Sequence, residues 1–61
     1  MPEPIFEIFK DKAGEFRFRL KAANGQIIAA SEGYTSKERC LDGIASVEKN
    51  ASIAKIVEAK D

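Results

Sequence analysis

The sequence predicts an α+β fold in which three antiparallel strands, one helix and a final strand follow one another, a β(3)-α-β unit. Asn24-Gly25 joins two apolar-patterned runs, which is the strongest short-range signal for a β-hairpin. Apolar residues then recur at helical spacing, and the chain finishes with a short run rich in β-branched residues. Together these patterns predict a meander with one face covered by one helix.

The first strand is predicted over Ile5–Lys10, a run rich in isoleucine and phenylalanine. The following turn, residues 11–14, suits a type I turn closed by Gly14 in the left-handed region, a three-residue hairpin with a bulge. A four-residue loop remains an alternative, because it shifts the register by one and exchanges the two faces of the strand. The three-residue loop pairs Ile8 with Phe18 and Phe6 with Leu20, and it places Phe9 beside Arg17.

The second hairpin is predicted to turn at Asn24-Gly25 as a two-residue type I′ turn, which needs positive φ at both residues. Counting outward pairs Ala23 with Gln26, Ala22 with Ile27, Leu20 with Ala29, and Phe18 with Ser31. The predicted core face then carries Phe16, Phe18, Leu20, Ala22, Ile27 and Ala29. The opposite face carries Glu15, Arg17, Arg19, Lys21, Ile28 and Ala30.

The helix is predicted over Ser36–Lys49. Thr35 and Glu38 fit a capping box, in which Thr35 is the N-cap and Glu38 the third helical residue. Asn50 is the predicted stop, because asparagine tolerates the left-handed conformation. Tyr34 is predicted to pack at the sheet edge beneath the helix start and to hydrogen-bond through its hydroxyl. The apolar stripe that should cover the core face consists of Cys40, Leu41, Ile44, Val47 and Ala51.

The last run, Ile53–Ala59, is short and β-branched, and we expect it to form the fourth strand. We treat the 61 residues, 1–61, as one domain. Hydrophobic burial in a chain of this size contributes about 80 to 90 kcal/mol, and conformational entropy opposes it by about the same amount. One cysteine and no histidine provide neither an internal disulfide nor a zinc cluster. Oligomerisation is the remaining route to additional stability.

The segment from Arg17 to Gly25 reads Arg-Phe-Arg-Leu-Lys-Ala-x-Asn-Gly. With this segment as its most specific part, nearly the whole chain resembles the YegP-like family of small bacterial proteins. The resemblance implies a homodimer of β(3)-α-β units that share one continuous sheet and exchange their C-terminal strands, and this chain resembles the single-copy form. The family has no established biochemical function, so only architecture is implied. The other matching positions are Phe6, Ile8, Gly14, Phe16, Ile28, Ser31, Glu32, Tyr34, Ile44 and Val47.

Enzymatic activity is not expected. Without histidine, acid–base chemistry falls to carboxylate, lysine, tyrosine or cysteine side chains, and no pair has a spacing that suggests cooperation. Cys40 lies on the apolar stripe of the helix, where a buried small hydrophobe is the better interpretation than an activated thiol. Glu7 and Glu15 are separate single carboxylates beside basic neighbours, and we expect cross-strand ion pairs there. We expect no cofactor and no metal.

One candidate binding face consists of Phe9, Arg17, Arg19 and Lys21. Alternating cations beside an aromatic ring are typical of nucleic-acid or anion sites, but also of the solvated face of any antiparallel strand. Ten basic and ten acidic residues give no net charge and no general attraction to nucleic acid, which is not an expected partner. No run approaches a membrane span, and no secretory signal is recognised. We therefore expect a cytoplasmic homodimer that serves a structural or protein-interaction role, with weak nucleic-acid or anion binding as the alternative.

Overall fold

The computed structural model describes residues 3–60, which form an α+β fold. The elements are β1 (Ile5–Lys10), β2 (Phe16–Lys21), β3 (Ile27–Ala30) and α1 (Lys37–Ala51). The strands form one antiparallel sheet in the order β1-β2-β3, and α1 packs against β2. We call the side of the sheet beneath α1 the core face and the other side the outer face.

The structure of the first hairpin confirms the predicted three-residue loop and the register that it sets. Phe6 lies opposite Leu20, and Ile8 lies opposite Phe18, without any irregularity along β1 and β2. The amide of Gly14 donates to the carbonyl of Asp11 at 3.0 Å, and Gly14 has a φ of +84°. The Asp11 side chain also accepts the amides of Ala13 and Glu15, so one carboxylate holds the whole turn.

The second hairpin differs from the prediction. Gly25 has a φ of +88°, whereas Asn24, like every other non-glycine residue within 3–60, has a negative φ. The type I′ assignment is therefore wrong. The amide of Gly25 donates to the carbonyl of Ala22 at 2.9 Å, and the amide of Ala22 donates to Gln26 at 2.8 Å. The first turn has the same pattern, a type I turn followed by a left-handed glycine. The Asn24 side chain accepts the amide of Gln26, the residue after the glycine, and in the first turn the Asp11 side chain accepts the corresponding amide of Glu15.

The longer loop moves the pairing beside the turn by one residue. Ile27 lies opposite Lys21 and belongs to the outer face, which corrects its predicted place on the core face. An irregularity between Leu20 and Lys21 leaves Ile28 as an extra residue and restores the predicted register beyond it. Leu20 accordingly lies opposite Ala29, as predicted. The pairs near the turn, Ala23 with Gln26 and Ala22 with Ile27, are wrong for the same reason.

Beyond β3 the chain continues along the same edge of β2. The amide of Ser31 donates to the carbonyl of Phe18, and the Ser31 hydroxyl accepts the Phe18 amide, both at 2.9 Å. Tyr34 and Phe16 then exchange two backbone hydrogen bonds. This edge of β2 is therefore satisfied far beyond the four residues of β3.

The helix begins one residue later than predicted. Ser36 is extended, with φ −140° and ψ 157°, and its hydroxyl accepts the amide of Arg39 at 3.2 Å. Ser36 is thus the N-cap, which makes Glu38 the second helical residue. The predicted capping box of Thr35 and Glu38 is wrong, because the acid must occupy the third helical position to reach back to the cap.

The helix also ends later than predicted. Asn50 is helical and donates its side-chain amide to the carbonyl of Ser46 at 2.8 Å, so it does not adopt the left-handed stop that we expected. The helix continues to Ala51, and Ser52 is the C-cap. The amide of Ile53 donates to the carbonyl of Asn50 at 3.2 Å and closes the last turn.

The core is small and centres on Phe18. Among residues 3–60, Phe18 and Cys40 are the buried hydrophobic side chains, which confirms the burial predicted for the cysteine. The Phe18 ring meets Phe6 edge-on at 5.8 Å and stacks on Tyr34 at 6.2 Å. Tyr34 lies beneath α1 as predicted, but the hydrogen bond expected of its hydroxyl is not among those of residues 3–60. The hydroxyl lies against Gly43, in the middle of the helix rather than at its start. A glycine at this point allows the helix to approach the rings closely.

Residues 53–60 form no strand in the single chain, so the predicted fourth strand is absent from it. Ile53, Ile56 and Val57 are 74%, 102% and 81% exposed. A strand needs a neighbour to satisfy its backbone, and none of the described strands lies beside this segment. The Cα radius of gyration is 13.1 Å, against about 10.5 Å for a compact domain of this length.

Candidate functional site

The structure brings the four predicted binding residues together on the outer face. Phe9 lies opposite Arg17, and Glu7 lies opposite Arg19 on the same two strands. Lys21 follows at the end of β2, between Ile5 and Ile27. Because alternate residues of a strand share a face, the predicted face is a real surface of the sheet.

Arg17 forms an ion pair with Asp11. Its Nε lies 2.6 Å from Oδ2, while Oδ1 of the same carboxylate holds the turn amides. The hydrogen bond from the Glu15 amide lowers the pKa of Asp11 below its usual value of 3.8, and those from Arg17 and Ala13 lower it further. The hairpin turn therefore supplies the counter-ion of the first cation on this face.

Arg19 and Lys21 share Glu7. The Nε of Arg19 lies 2.6 Å from Oε1 of Glu7, and the Nζ of Lys21 lies 3.5 Å from the same oxygen. The hydrogen bond from Arg19 lowers the pKa of Glu7 below its usual value of 4.5, the charges of Arg19 and Lys21 lower it further, and desolvation opposes them. Two of the three cations are thus held by one carboxylate.

Phe9 is covered by a cation. The Cζ of Arg19 lies 4.4 Å from the centre of the Phe9 ring, so Arg19 is fixed between the ring and the Glu7 carboxylate. A stacking platform for a nucleobase would need an open ring, and phosphate binding would need cations free of carboxylates. The contacts instead make this face a self-neutralised surface of ion pairs.

Sequence reasoning missed the role of Asp11 and the apolar residues that border the ion pairs. The sequence pattern predicts only a turn role for Asp11, although an acid at the first turn position beside a strand arginine also indicates an ion pair. Ile5 and Ile27 flank Lys21 and are about half exposed. The sequence predicts the wrong face for Ile27 because the bulge beside it leaves no signal in the sequence.

The larger apolar surface lies elsewhere. Leu41 and Val47 on α1 are 48% and 36% exposed, and the isoleucines and valine of residues 53–57 are more exposed still. These residues include two members of the predicted stripe that should face the core. One helix in a single chain leaves part of that stripe uncovered.

No pocket of ligand size is present in the described part of the chain. Residues 3–60 contain no group of three or more cysteine, aspartate or glutamate side chains placed to hold a metal ion. The described helix is also too short and too polar to cross a bilayer.

Residues 11–58 match the family described as a domain of unknown function, DUF1508. The chain belongs to this family. The resemblance to YegP-like proteins is therefore confirmed, and the curated relatives carry the name UPF0339 protein. A Treponema denticola relative is 62% identical over 53 residues, which cover 87% of this chain and 91% of that protein.

Other DUF1508 relatives differ in length and source. A Stutzerimonas stutzeri UPF0339 protein in the ptx operon 5′ region is 72% identical over 46 residues, which cover 75% of this chain and 41% of that protein. The solution structure of a Haloferax volcanii protein has a TM-score of 0.87 at 45% identity and covers 97% of this chain and 100% of that one.

Proposed function

We propose that this DUF1508 chain is a non-enzymatic, cytoplasmic module that works as a homodimer in a structural or protein-interaction role. The observation that carries the proposal is the exposed apolar surface of residues 53–57. Three large hydrophobic side chains on one short segment remain in water in the single chain. Exposed apolar patches of this kind mark interaction sites in soluble domains.

The surface area of the chain agrees with an obligate partner. The accessible surface is 5350 Å², whereas a compact monomer of this mass has about 3,900 Å². Burying the excess from two chains removes on the order of 2,900 Å², which lies in the range of obligate homodimers. The small core around Phe18 gives the single chain little apolar burial of its own.

The exposed stripe of α1 gives the partner a second place to pack. Leu41 and Val47 remain partly exposed although α1 packs on β2, and a second helix alongside would cover them. The Stutzerimonas relative, in which this chain covers 41% of the length, has room for two such domains in one polypeptide. A covalent tandem would supply the same two units that the homodimer brings together.

The test compares Ile56→Asp with Glu58→Asp. Ile56 is fully exposed in the single chain, so an aspartate there costs nothing unless a second copy covers it. We expect Ile56→Asp to prevent association and to lower the melting temperature sharply, while Glu58→Asp leaves both unchanged. The melting temperature of the parent should rise with protein concentration, as mass action requires for coupled folding and association.

Light scattering distinguishes the outcomes. A folded parent of 6.7 kDa at micromolar concentration, with Ile56→Asp as stable as the parent, would contradict the dimer. A species of twice that mass supports it.

Nucleic-acid binding is expected to be weak, because every cation of the predicted face lies beside a carboxylate. Each phosphate neutralised by the protein lowers the logarithm of the binding constant by about 0.7 to 0.9 per log unit of salt. A single-stranded oligonucleotide that binds below micromolar concentration with such a slope, and is lost on replacing Arg17, Arg19 and Lys21 by alanine, would overturn this expectation.

A further inference from the structure

We propose that Asn24 is a site of spontaneous deamidation and that the folded turn of the second hairpin controls its rate. Asparagine is among the thermolabile residues of proteins. It reacts most readily before a glycine, because the amide nitrogen of the next residue attacks the side-chain amide carbon and glycine has no Cβ to obstruct the approach. The inference does not depend on the proposed homodimer.

The reaction consumes only water. Hydroxide removes the proton of the Gly25 amide, the nitrogen bonds to Cγ of Asn24, and the side-chain nitrogen leaves as ammonia. Water then opens the cyclic imide at either of its carbonyl carbons. One opening gives aspartate at residue 24, and the other gives isoaspartate, in which the main chain runs through the former side chain.

In the folded turn both reacting groups are engaged in hydrogen bonds. The Gly25 amide donates to the carbonyl of Ala22 at 2.9 Å, so its proton points into the hairpin rather than towards solvent. The side-chain oxygen of Asn24 accepts the backbone amide of Gln26 at 3.0 Å, which holds the side chain beside that amide. Both hydrogen bonds have to break before hydroxide reaches the nitrogen and the nitrogen reaches Cγ. Deamidation therefore requires local opening of the turn.

The surroundings of the turn do not hinder the reaction once it opens. Asn24 and Gly25 are exposed, and within residues 3–60 a Cβ built on Gly25 would meet nothing within 4 Å. The other asparagine, Asn50, lies within α1 and donates its side-chain amide to the Ser46 carbonyl. It is followed by Ala51, whose Cβ obstructs the attacking nitrogen. Asn50 therefore serves as an internal control.

The two products should affect the hairpin differently. Aspartate keeps a side-chain oxygen for the Gln26 amide, as the Asp11 carboxylate accepts backbone amides in the first turn. Isoaspartate adds a carbon atom to the main chain before Gly25 and so displaces its amide from the Ala22 carbonyl. We therefore expect isoaspartate to destabilise the hairpin and aspartate to leave it intact.

The experiment compares the full chain at neutral pH in its folded state and unfolded in guanidinium chloride. Mass spectrometry follows residues 22–37 and 50–55, the tryptic peptides that contain the two asparagines, and samples taken at time zero correct for deamidation during digestion. We expect residues 22–37 of the unfolded chain to gain the mass difference between an amide and a carboxyl group, and folding to slow this gain at least about tenfold. Residues 50–55 should change far more slowly. An equal gain in both peptides overturns the inference.

Hydrogen exchange of the Gly25 amide connects the rate to the turn. Base-catalysed exchange removes the same proton as imide formation, so both reactions require the Ala22–Gly25 hydrogen bond to open. Folding should slow deamidation by at least the factor by which it slows this exchange. Equal deamidation rates in the folded and the unfolded chain overturn the inference. Slow deamidation in a folded chain whose Gly25 amide exchanges freely overturns the control by the turn.

Asn24→Gln tests the reacting side chain. Glutamine has to close a larger ring, so residues 22–37 of this variant should lose the mass gain. Hydroxylamine, which cleaves the chain at the imide, should cut the unfolded parent between Asn24 and Gly25 and leave Asn24→Gln uncut. A mass gain that persists at the parental rate in the variant overturns the assignment to Asn24.

Asn24→Asp tests the consequence of the reaction. The parent has a formal net charge of zero and both products are more negative, so isoelectric focusing separates the deamidated fraction from the parent. Asn24→Asp should melt with the parent, whereas the deamidated fraction, which contains isoaspartate, should melt at a lower temperature. Equal melting temperatures of the deamidated fraction and Asn24→Asp would overturn the damage assigned to isoaspartate.

Discussion

Replacing Gly43 by alanine tests the packing of the helix on the sheet. A Cβ built on Gly43 lies 2.8 Å from Cζ of Tyr34 and 3.3 Å from Cε2 of Phe18. Carbon atoms in ordinary contact are about 3.5 to 4.0 Å apart, so the helix or the Tyr34 ring has to move. Overfilling a packed site of this kind destabilises a protein by about 1 to 3 kcal/mol.

Helix propensity acts in the opposite direction. Alanine is more favourable than glycine inside a helix by about 1 kcal/mol. We therefore expect Gly43→Ala to lower the free energy of unfolding by up to about 2 kcal/mol, the overpacking outweighing the gain in helix propensity. In a domain of this size a loss of that amount lowers the melting temperature by up to roughly 15 °C.

The assay is denaturant unfolding, monitored by circular dichroism at fixed protein concentration. Gly43→Ala is measured both in the parent and in a Tyr34→Leu variant. Leucine removes Cζ and the hydroxyl, so Gly43→Ala should become neutral or stabilising there, by up to about 1 kcal/mol. Glu48 is an exposed helix position, so the difference in stability between Glu48→Gly and Glu48→Ala gives the helix-propensity difference alone. A Gly43→Ala variant that is more stable than the parent would refute the close approach of α1 to Tyr34.

Three further predictions concern the turns, the helix cap and pH. Gly25→Val should destabilise the chain by about 1 to 3 kcal/mol because valine resists a φ of +88°, whereas Gly25→Asn should cost less; equal denaturation midpoints for the two would contradict the turn geometry. Ser36→Ala should cost about 1 kcal/mol in unfolding experiments through loss of the N-cap, and Thr35→Ala should cost little, the reverse of what a Thr35 cap predicts. The pKa of Asp11 is lowered by folding, so its stabilising contribution is present above the unfolded value near 3.8 and is lost as the pH falls through the lower, folded value. The free energy of unfolding measured across that pH range should depend less on pH for Asp11→Asn than for the parent. An equal pH dependence would show that Asp11 does not contribute to it.

The sequence was sufficient wherever local backbone chemistry decides the structure. The turn glycines and the alternation of apolar and polar residues predicted the three strands. The turn at residues 11–14 predicted the register of β1 on β2. Helical spacing predicted α1 to within two residues at each end and placed Cys40 in the core. These features depend on residues close together in the chain, so their signals lie within short windows.

The tertiary structure decided what depends on distant partners. Asn24-Gly25 favours a two-residue type I′ turn, but the second hairpin has the same three-residue turn as the first. The bulge at Ile28 makes this possible, because it absorbs the one-residue shift in pairing that the longer turn causes. The ion pair of Glu7 with Arg19 was predictable from the register, whereas the pairing of Arg17 with Asp11 of the turn was found only in the structure. The segment from Ile53 has strand propensity but no neighbour in the single chain, and a strand exists only where another backbone completes its hydrogen bonds.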